Sequence, residues 1–186
     1  MRKFFPIILM ALASTFAVSC DNNDDVVVQD NQANVTKVRD VTANFNSGNN
    51  FTVSQGINIQ NTDVVLVYRN INSNGGGGAV WQLIPKTFYL QDVTGFPTGR
   101  ELDYNFDFTT GNMGDVEIRT EANFNQSNQL STTEVSRYLT NQVFRIVLIT
   151  AYANKSATAP VDYSDYNSVI KYYNLDDSNV KNTVIK

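Results

Sequence analysis

Apolar and polar residues alternate with a period of two over much of the chain after residue 40, and turn-forming residues separate the alternating segments. Successive side chains of a β-strand point to opposite faces, so this alternation predicts strands with one buried face. The clearest pair of segments lies on either side of a turn at residues 111–115. Their alternating apolar positions are Leu102, Tyr104, Phe106 and Phe108, followed by Val116, Ile118, Ala122 and Phe124. We predict a β-hairpin in which these residues face the core.

Two other segments are apolar almost without a break. Residues 64–68 contain no charged or amide side chain, and residues 143–151 are interrupted only by Arg145 and Thr150. A strand with no polar side is typical of the middle of a fold, so we predict that these two strands are neighbours at the centre of a sheet. The segment 80–90 contains Pro85, which cannot donate a backbone hydrogen bond. We therefore expect this strand to lie at an edge or to be bulged.

Shorter patterns complete the strand prediction. Alternating apolar residues predict two further strands within residues 41–45 and 51–59, and a last short strand at 184–185. The polar stretch between the hairpin and residue 143 predicts a loop with a helical turn at 133–139. We expect Glu134, Arg137 and Tyr138 to lie within reach of one another in that turn.

Near the C-terminus the period changes from that of a strand to that of a helix. Apolar residues stand at positions i, i+3, i+4 and i+7, namely Tyr166, Val169, Ile170 and Tyr173. This spacing predicts an amphipathic helix, capped by Asp162 or Ser164, with Asp165 near its positive end. Together the patterns predict an all-β fold, an antiparallel immunoglobulin-like sandwich of about seven to nine strands closed at one end by this short helix.

The first residues of the chain have the pattern of an export signal. Arg2 and Lys3 form a positive start, and residues 4–18 follow without a charge. This apolar run is shorter than the roughly 20 residues that a membrane-spanning helix needs. We therefore predict a signal peptide that is removed from the mature protein.

The end of this leader carries a candidate lipid attachment site at Cys20. Ala17-Val18-Ser19-Cys20 resembles the lipobox of bacterial lipoproteins, in which small residues precede a cysteine that receives a diacylglyceryl group. The usual lipobox has a large aliphatic residue where this chain has Ala17. Ordinary signal peptidase cleavage stays open, because Ala17 and Ser19 also fit the small-x-small rule. Cys20 is the only cysteine, so it forms no disulfide within the chain, and acylation would explain its presence.

Acidic and amide residues follow the cysteine directly. Asp21-Asn22-Asn23-Asp24-Asp25 resembles the acidic tether of Bacteroidota-type outer-membrane lipoproteins, and the chain as a whole is similar to the small lipoproteins of such membranes. The resemblance implies an exported, lipid-anchored outer-membrane protein, facing the periplasm or displayed on the cell surface, and it implies no activity. A solvated linker without a sorting role explains the same residues. We predict a signal peptide at 1–19, a lipidated tether at 20–36 and one β-sandwich domain at 37–186.

Composition excludes several classes of chemistry. The chain has no histidine, which removes histidine-based triads and histidine-ligated metal sites, and Cys20 is assigned to the anchor. Removal of the leader takes two cations away and leaves 12 Lys and Arg against 18 Asp and Glu, a net charge of −6. Such a charge repels nucleic acid. Gly75 to Gly78 predict a flexible loop rather than a phosphate site, because no lysine follows with the required spacing. We expect no cofactor and no metal.

Carboxylate pairs and exposed aromatic rings are the candidates for ligand chemistry. Glu101 and Asp103 stand two residues apart, about 7 Å along a strand, which is within the reach of a glycosidase pair. Asp103 with Asp107, and Glu117 with Glu121, are about 13 Å apart and too distant, and the positions of cross-strand pairs stay open. A solvated strand face explains these acids equally. The candidate sugar-stacking aromatics, which pack against the core in the alternative interpretation, are Trp81, Tyr89 and Phe96.

Three functional hypotheses follow from these observations. The first is a non-enzymatic binding or structural module, anchored in the membrane through its lipid and contacting a glycan or a protein. The second is a carbohydrate-binding accessory module. The third is a glycan hydrolase that uses only carboxylates.

Overall fold

Two β-sheets enclose the main apolar core. The computed structural model describes residues 36–150 and 160–185, so the leader, Cys20 and the tether up to residue 35 lie outside the described residues. Within the described residues the strands are β1 (Thr36–Ala43), β2 (Thr52–Gly56), β3 (Val64–Asn70), β4 (Trp81–Ile84), β5 (Lys86–Tyr89), β6 (Glu101–Thr109), β7 (Asp115–Ala122), β8 (Gln142–Ile149) and β9 (Lys181–Ile185). The helices are α1 (Thr132–Tyr138) and α2 (Tyr166–Tyr173), with a 3-10 turn at Ser47–Asn49.

The sheets contain five and four strands. Their orders are β4-β3-β8-β1-β9 and β2-β7-β6-β5, and every pairing is antiparallel except that of β1 with β9. The predicted all-β, two-sheet fold is confirmed, and nine strands fall within the predicted range. Neither helix of residues 36–150 and 160–185 is long and apolar enough to cross a membrane.

The predicted hairpin is formed by β6 and β7. Leu102 pairs with Ala122 and Phe108 with Val116 across the two strands. Leu102, Tyr104 and Val116 are buried, but Phe108 is 44 % exposed near the turn, so the prediction of a core position is wrong there. The core-facing stripe is therefore shorter on β6 than on β7, where Val116, opposite Phe108, is buried.

Pro85 separates two edge strands. β4 lies at one edge of the five-stranded sheet and β5 at one edge of the four-stranded sheet, and the Ile84–Pro85 peptide bond is cis. A proline lacks the N–H that a central strand must donate, which explains the edge positions. The edge prediction is confirmed, and the chain passes from one sheet to the other at this residue.

The central strands β3 and β8 pair with each other, as predicted. Both faces of these strands are covered, which explains their continuous apolar sequence. Val65, Val67 and Ile146 face the core between the sheets. On the opposite face a second cluster joins the sheet to α2, and its buried members are Leu66, Tyr68, Val147, Ile149, Tyr166, Val169 and Tyr173. Helix α2 therefore packs on the outer face of the five-stranded sheet, and the expectation that it closes one end of the sandwich is wrong.

The cap of α2 also differs from the prediction. Asp165 is the N-cap and accepts a hydrogen bond from the Asn167 amide. Asp162 accepts instead from the amide and hydroxyl of Ser164, in the turn before the helix. The predicted helical stripe and the last short strand, which is β9, are both confirmed.

A buried arginine lies in the core near the end of β3. Arg69 is 2 % exposed, and its guanidinium donates to Gln142 Oε1 at 3.0 and 2.5 Å and to the carbonyl oxygen of Arg137 at 2.8 Å. It also lies over the rings of Tyr104 and Phe88, 4.6 and 5.1 Å from their centroids. Burial lowers the pKa of Arg69, but a guanidinium stays protonated in proteins. Hydrogen-bond acceptors and ring faces therefore offset the cost of burying this charge.

We predict that Arg69→Met lowers the free energy of unfolding by about 3 kcal/mol, because Gln142 Oε1 and the Arg137 carbonyl lose their donor inside the core. The double variant Arg69→Met with Gln142→Leu should be at least about 1 kcal/mol more stable than the single variant, because it removes the orphaned acceptor. Gln142 also donates to the carbonyls of Ser136 and Thr140. In the double variant these carbonyls still accept hydrogen bonds from Asn74.

Urea unfolding of the single and double variants provides the measurement. Arg39→Met, at a half-buried position of β1, is the control and should change stability by less than about 0.5 kcal/mol. A double variant that is no more stable than Arg69→Met would contradict the role given to the guanidinium.

Candidate functional site

Helix α1 forms because its first turn is capped from both sides. Ser131 Oγ accepts from the Glu134 amide at 3.3 Å, and Glu134 Oε2 accepts from the Ser131 amide at 2.9 Å. This reciprocal arrangement satisfies backbone donors that a helix start leaves without partners. Val135 and Tyr138 pack against the core, whereas Thr132, Thr133, Ser136 and Arg137 are exposed. The helix therefore has one face that holds it and one that is open to solvent.

A buried ion pair joins α1 to the loop between β5 and β6. Arg100 contacts the Glu134 carboxylate at 2.7 and 3.0 Å, and the two side chains are 1 % and 12 % exposed. Arg100 also donates to the carbonyls of Gln91 and Gln129. Burial alone would raise the pKa of Glu134, but hydrogen bonds from Arg100 and Ser131 outweigh it and hold the pKa below its ordinary value of 4.5. Glu134 thus pairs with Arg100, and Arg137 lies against the ring of Tyr138, 5.4 Å from its centroid.

Two open clefts lie on either side of α1. One has a volume of about 430 Å³ and its lining includes Tyr89, Gln91, Ser131 and Glu134. The other has a volume of about 620 Å³ and is lined by Ile71, Asn72, Asn74, Gly75, Thr132 and Ser136, among others. Thr133 and Arg137 line both clefts. The exposed face of α1 is therefore the ridge that the two clefts share.

The glycine-rich loop forms one wall of the larger cleft and is tied to α1 by Asn74. Asn74 Nδ2 donates to the carbonyls of Ser136 and Thr140 at 2.6 and 2.7 Å. Asn72 Nδ2 donates to the carbonyls of Gly76 and Gly78, within the loop itself. A side chain at Gly75 would lie 2.0 Å from Asn72 Oδ1, so this position needs glycine for space. Polar side chains therefore order the loop that the sequence predicts to be flexible.

The three predicted stacking aromatics lie in different surroundings. Tyr89, at the end of β5, is 77 % exposed on the rim of the smaller cleft. Phe96 is half-buried, with its ring 5.2 Å from the guanidinium of Arg100. Trp81 packs on the opposite side of the five-stranded sheet, against Tyr166 and 4.4 Å from the Arg145 guanidinium. Tyr89 is thus the candidate whose ring borders a cleft.

Trp81 belongs to a polar network beneath α2. Arg145 binds both oxygens of Asp40 at 2.7 and 2.8 Å, and it also contacts Tyr166 Oη at 2.6 Å and Asp177 at 3.2 Å. These contacts connect β1, β8, α2 and the segment after α2. The indole ring of Trp81 therefore has an observed role in packing.

The candidate carboxylates lie on the outer face of the four-stranded sheet. The cross-strand pairs left open by the sequence are Asp103 opposite Glu121 and Asp107 opposite Glu117. Directly opposite residues have Cβ atoms about 5 Å apart, which is within glycosidase reach. Arg119 lies between the pairs and binds Asp107 and Glu121. Neither pair lines a cleft beside α1.

Sequence patterns do not reveal Arg137, Asn74 or Arg100 as members of one site. Arg137 and Asn74 come together only because β3, β8 and α1 meet at this end of the fold. One signal was available: Ser131-x-x-Glu134 is a capping box and marks the start of a helix. Among residues 36–150 and 160–185, no group of three or more Asp, Glu, Cys or His side chains is placed to hold a metal ion.

We predict that Glu134→Gln lowers the free energy of unfolding by about 3 kcal/mol at pH 7, because it leaves the buried Arg100 charge without a carboxylate. The carboxylate contributes this stability above its unfolded pKa of about 4.5 and loses it as the pH falls through the lower folded pKa. The difference between wild type and Glu134→Gln should therefore shrink below pH 4.5.

Urea unfolding at pH 7 and at pH 3 measures this difference. Glu117→Gln, on the open face of the four-stranded sheet, is the matched control and should cost less than about 0.5 kcal/mol at pH 7. A gap between wild type and Glu134→Gln that stays the same at both pH values would contradict the ion pair.

Comparison of this chain with known protein families, with curated proteins and with solved structures found no match. The clefts beside α1 are therefore interpreted from their own residues.

Proposed function

We propose that this protein is an exported, lipid-anchored, non-enzymatic binding module that is held to the outer membrane through Cys20. The charged and apolar pattern of residues 1–19, the single cysteine and the acidic residues after it support the anchor. The β-sheet scaffold and the clefts beside α1 support a binding role. In this arrangement the anchor sets the location and α1 presents the binding surface.

The observation that carries the binding role is the polar face of α1. Thr132, Thr133 and Ser136 line the clefts, and within residues 36–150 and 160–185 their side chains make no hydrogen bond to the protein. These hydroxyls are exposed, and polar groups that converge on a concave site fix the orientation of a ligand. A row of uncommitted hydroxyl groups beside an arginine thus favours recognition of a polar ligand.

A carbohydrate is the second, more specific candidate ligand, and Tyr89 favours it. Its ring is 77 % exposed on the rim of a cleft that also presents Gln91, Thr133 and Arg137. A flat ring stacks on the apolar face of a sugar, and nearby hydroxyl and amide groups bind its hydroxyls. The strand that carries Tyr89 is paired with β6, so the backbone beneath the ring is rigid.

Binding without hydrolysis is supported by the carboxylates of the clefts. Among the residues that the structure describes, Glu134 is the only Asp or Glu that lines either cleft, and its two oxygens are bound by Arg100 and Ser131. A glycosidase needs a second carboxylate at about 5 to 9.5 Å. The acidic pairs on the four-stranded sheet lie on an open face, where Arg119 partly neutralises them.

We also propose that the sandwich is immunoglobulin-like. Aligned sheets that cross at about 30° would support it. The pairing of β1 with β8 and β9 differs from an immunoglobulin constant domain, in which the first two strands are neighbours. An experimental structure with sheets crossing near 90° would contradict the proposal.

We predict that the wild-type protein partitions into the detergent phase of a detergent–water separation and that Cys20→Ser moves it to the aqueous phase. The thiol is the attachment point of the lipid, and serine cannot replace it in that reaction. Intact-mass spectrometry should find a mature chain that begins at Cys20 and carries the diacylglyceryl group. A free thiol at Cys20, or a chain that begins elsewhere, would contradict the anchor.

We predict that the full-length protein in detergent binds oligosaccharides on a glycan array and that Tyr89→Ala weakens this binding by about tenfold, the effect of losing one stacked ring. Phe108→Ala removes another partly exposed ring, distant in sequence from the clefts, and should leave binding unchanged. Absence of any bound glycan would contradict the carbohydrate candidate. Release of new reducing ends from a bound glycan would contradict a non-enzymatic module.

A further inference from the structure

Arg137 is an exposed arginine for which residues 36–150 and 160–185 provide no carboxylate partner, whereas the guanidinium of the buried Arg69 is bound by Gln142. Arg100, Arg119 and Arg145 each form an ion pair with an Asp or Glu. Among the described residues, the contact recorded for the Arg137 guanidinium is with the ring of Tyr138, at 5.4 Å from the centroid. An exposed guanidinium with five donors that the protein does not use is suited to bind a planar anion in a bidentate manner.

The charge balance of the clefts is positive at this position. In the described part of the chain, Arg137 and Glu134 are the charged side chains that line the two clefts, and the charge of Glu134 is neutralised by Arg100. The uncompensated charge is therefore the guanidinium of Arg137, in a chain whose overall net charge is −4. A local cation on a protein of negative net charge attracts an anion to that place.

We propose that the ridge of α1 binds a carboxylated glycan, with the sugar carboxylate held by Arg137. This inference rests on the proposed binding function and names the ligand class of the same site. The hydroxyls of Thr132, Thr133 and Ser136 lie on the same exposed face as Arg137, and they match the hydroxyls of a sugar chain. The ring of Tyr89 stacks on a neighbouring sugar in the smaller cleft.

The glycan is an oligosaccharide rather than a single sugar. Arg137 and Thr133 line both clefts, so a ligand held at Arg137 reaches cleft walls on either side of the helix. The wall of the larger cleft is the loop that Asn74 fixes to α1, and that of the smaller cleft is the segment from Tyr89 to Val93. Both walls are in place before the ligand binds, which reduces the entropy cost of binding.

The structure also makes Arg137 suitable for substitution. Its backbone carbonyl accepts from Arg69, but its side chain is exposed and lies against the ring of Tyr138. A change of this side chain therefore leaves the buried hydrogen bonds of Arg69 and Gln142 in place. Thermal unfolding of each variant checks that the fold is retained.

The test uses full-length protein in detergent and three carboxylated oligosaccharides. The first is built from galacturonic acid, the second from glucuronic acid with N-acetylglucosamine, and the third contains sialic acid. The methyl ester of each serves as its uncharged control. Calorimetry should show binding of at least one acid form and binding of its ester that is at least about tenfold weaker, because esterification removes the charge and keeps the shape. Arg137→Gln should weaken the acid form by about tenfold or more, and Arg137→Lys by less, because lysine keeps the charge but not the fork. Lys181→Gln changes the net charge equally on β9 and should have no effect.

The outcomes separate this inference from the proposed function. Equal binding of acid and ester, with an effect of Tyr89→Ala but none of Arg137→Gln, overturns the inference and leaves a carbohydrate-binding module. Equal loss with Arg137→Gln and Lys181→Gln overturns the inference as well, because it indicates a response to net charge. Binding of none of the acids or esters overturns the inference, and the carbohydrate candidate is overturned with it when the glycan array also shows no bound glycan.

Discussion

The arrangement of the two clefts depends on the contacts that the Arg69 guanidinium makes in the core. Its side chain starts from β3, donates to Gln142 at the start of β8, lies over the rings of β5 and β6, and donates to a carbonyl of α1. One charged group thus contacts both sheets and a helix. An apolar residue of similar length would fill the same space but would form no directional hydrogen bonds. The fixed donor geometry of arginine sets where α1 lies relative to the sheets.

Arg100 holds α1 from the opposite side. Its ion pair with Glu134 fixes the first turn of the helix, whereas Arg69 contacts the last turn through the Arg137 carbonyl. A helix of seven residues is too short to be stable alone, so tertiary contacts supply its stability. Two buried arginines therefore hold a short helix at both ends, and the face that they do not contact is the surface that we propose for ligand binding, which needs no reorganisation.

Sequence patterns predict the parts of this fold that are governed by local periodicity. The β6–β7 hairpin, the neighbouring β3 and β8 strands and the stripe of α2 all follow from spacing and burial. Arg69 could not be placed in this way, because a single arginine after an apolar run is typical of a strand that reaches solvent. Its burial depends on Gln142, a residue 73 positions away. The pairing of Arg100 with Glu134 likewise joins residues that no local pattern connects.

The two faces of α1 divide stability from recognition. Glu134 and Tyr138 face the protein, and Thr133, Ser136 and Arg137, one position before or two after them, face solvent. Glu134 and Arg137 are neighbours on the helix surface, but Glu134 pairs with Arg100. A substitution in the exposed set therefore changes the surface that we propose for ligand binding without removing a buried contact. The backbone carbonyl of residue 137 accepts a hydrogen bond from Arg69, and this bond does not depend on which side chain the residue carries. If α1 presents the proposed binding surface, single substitutions there change ligand preference at a small cost in stability.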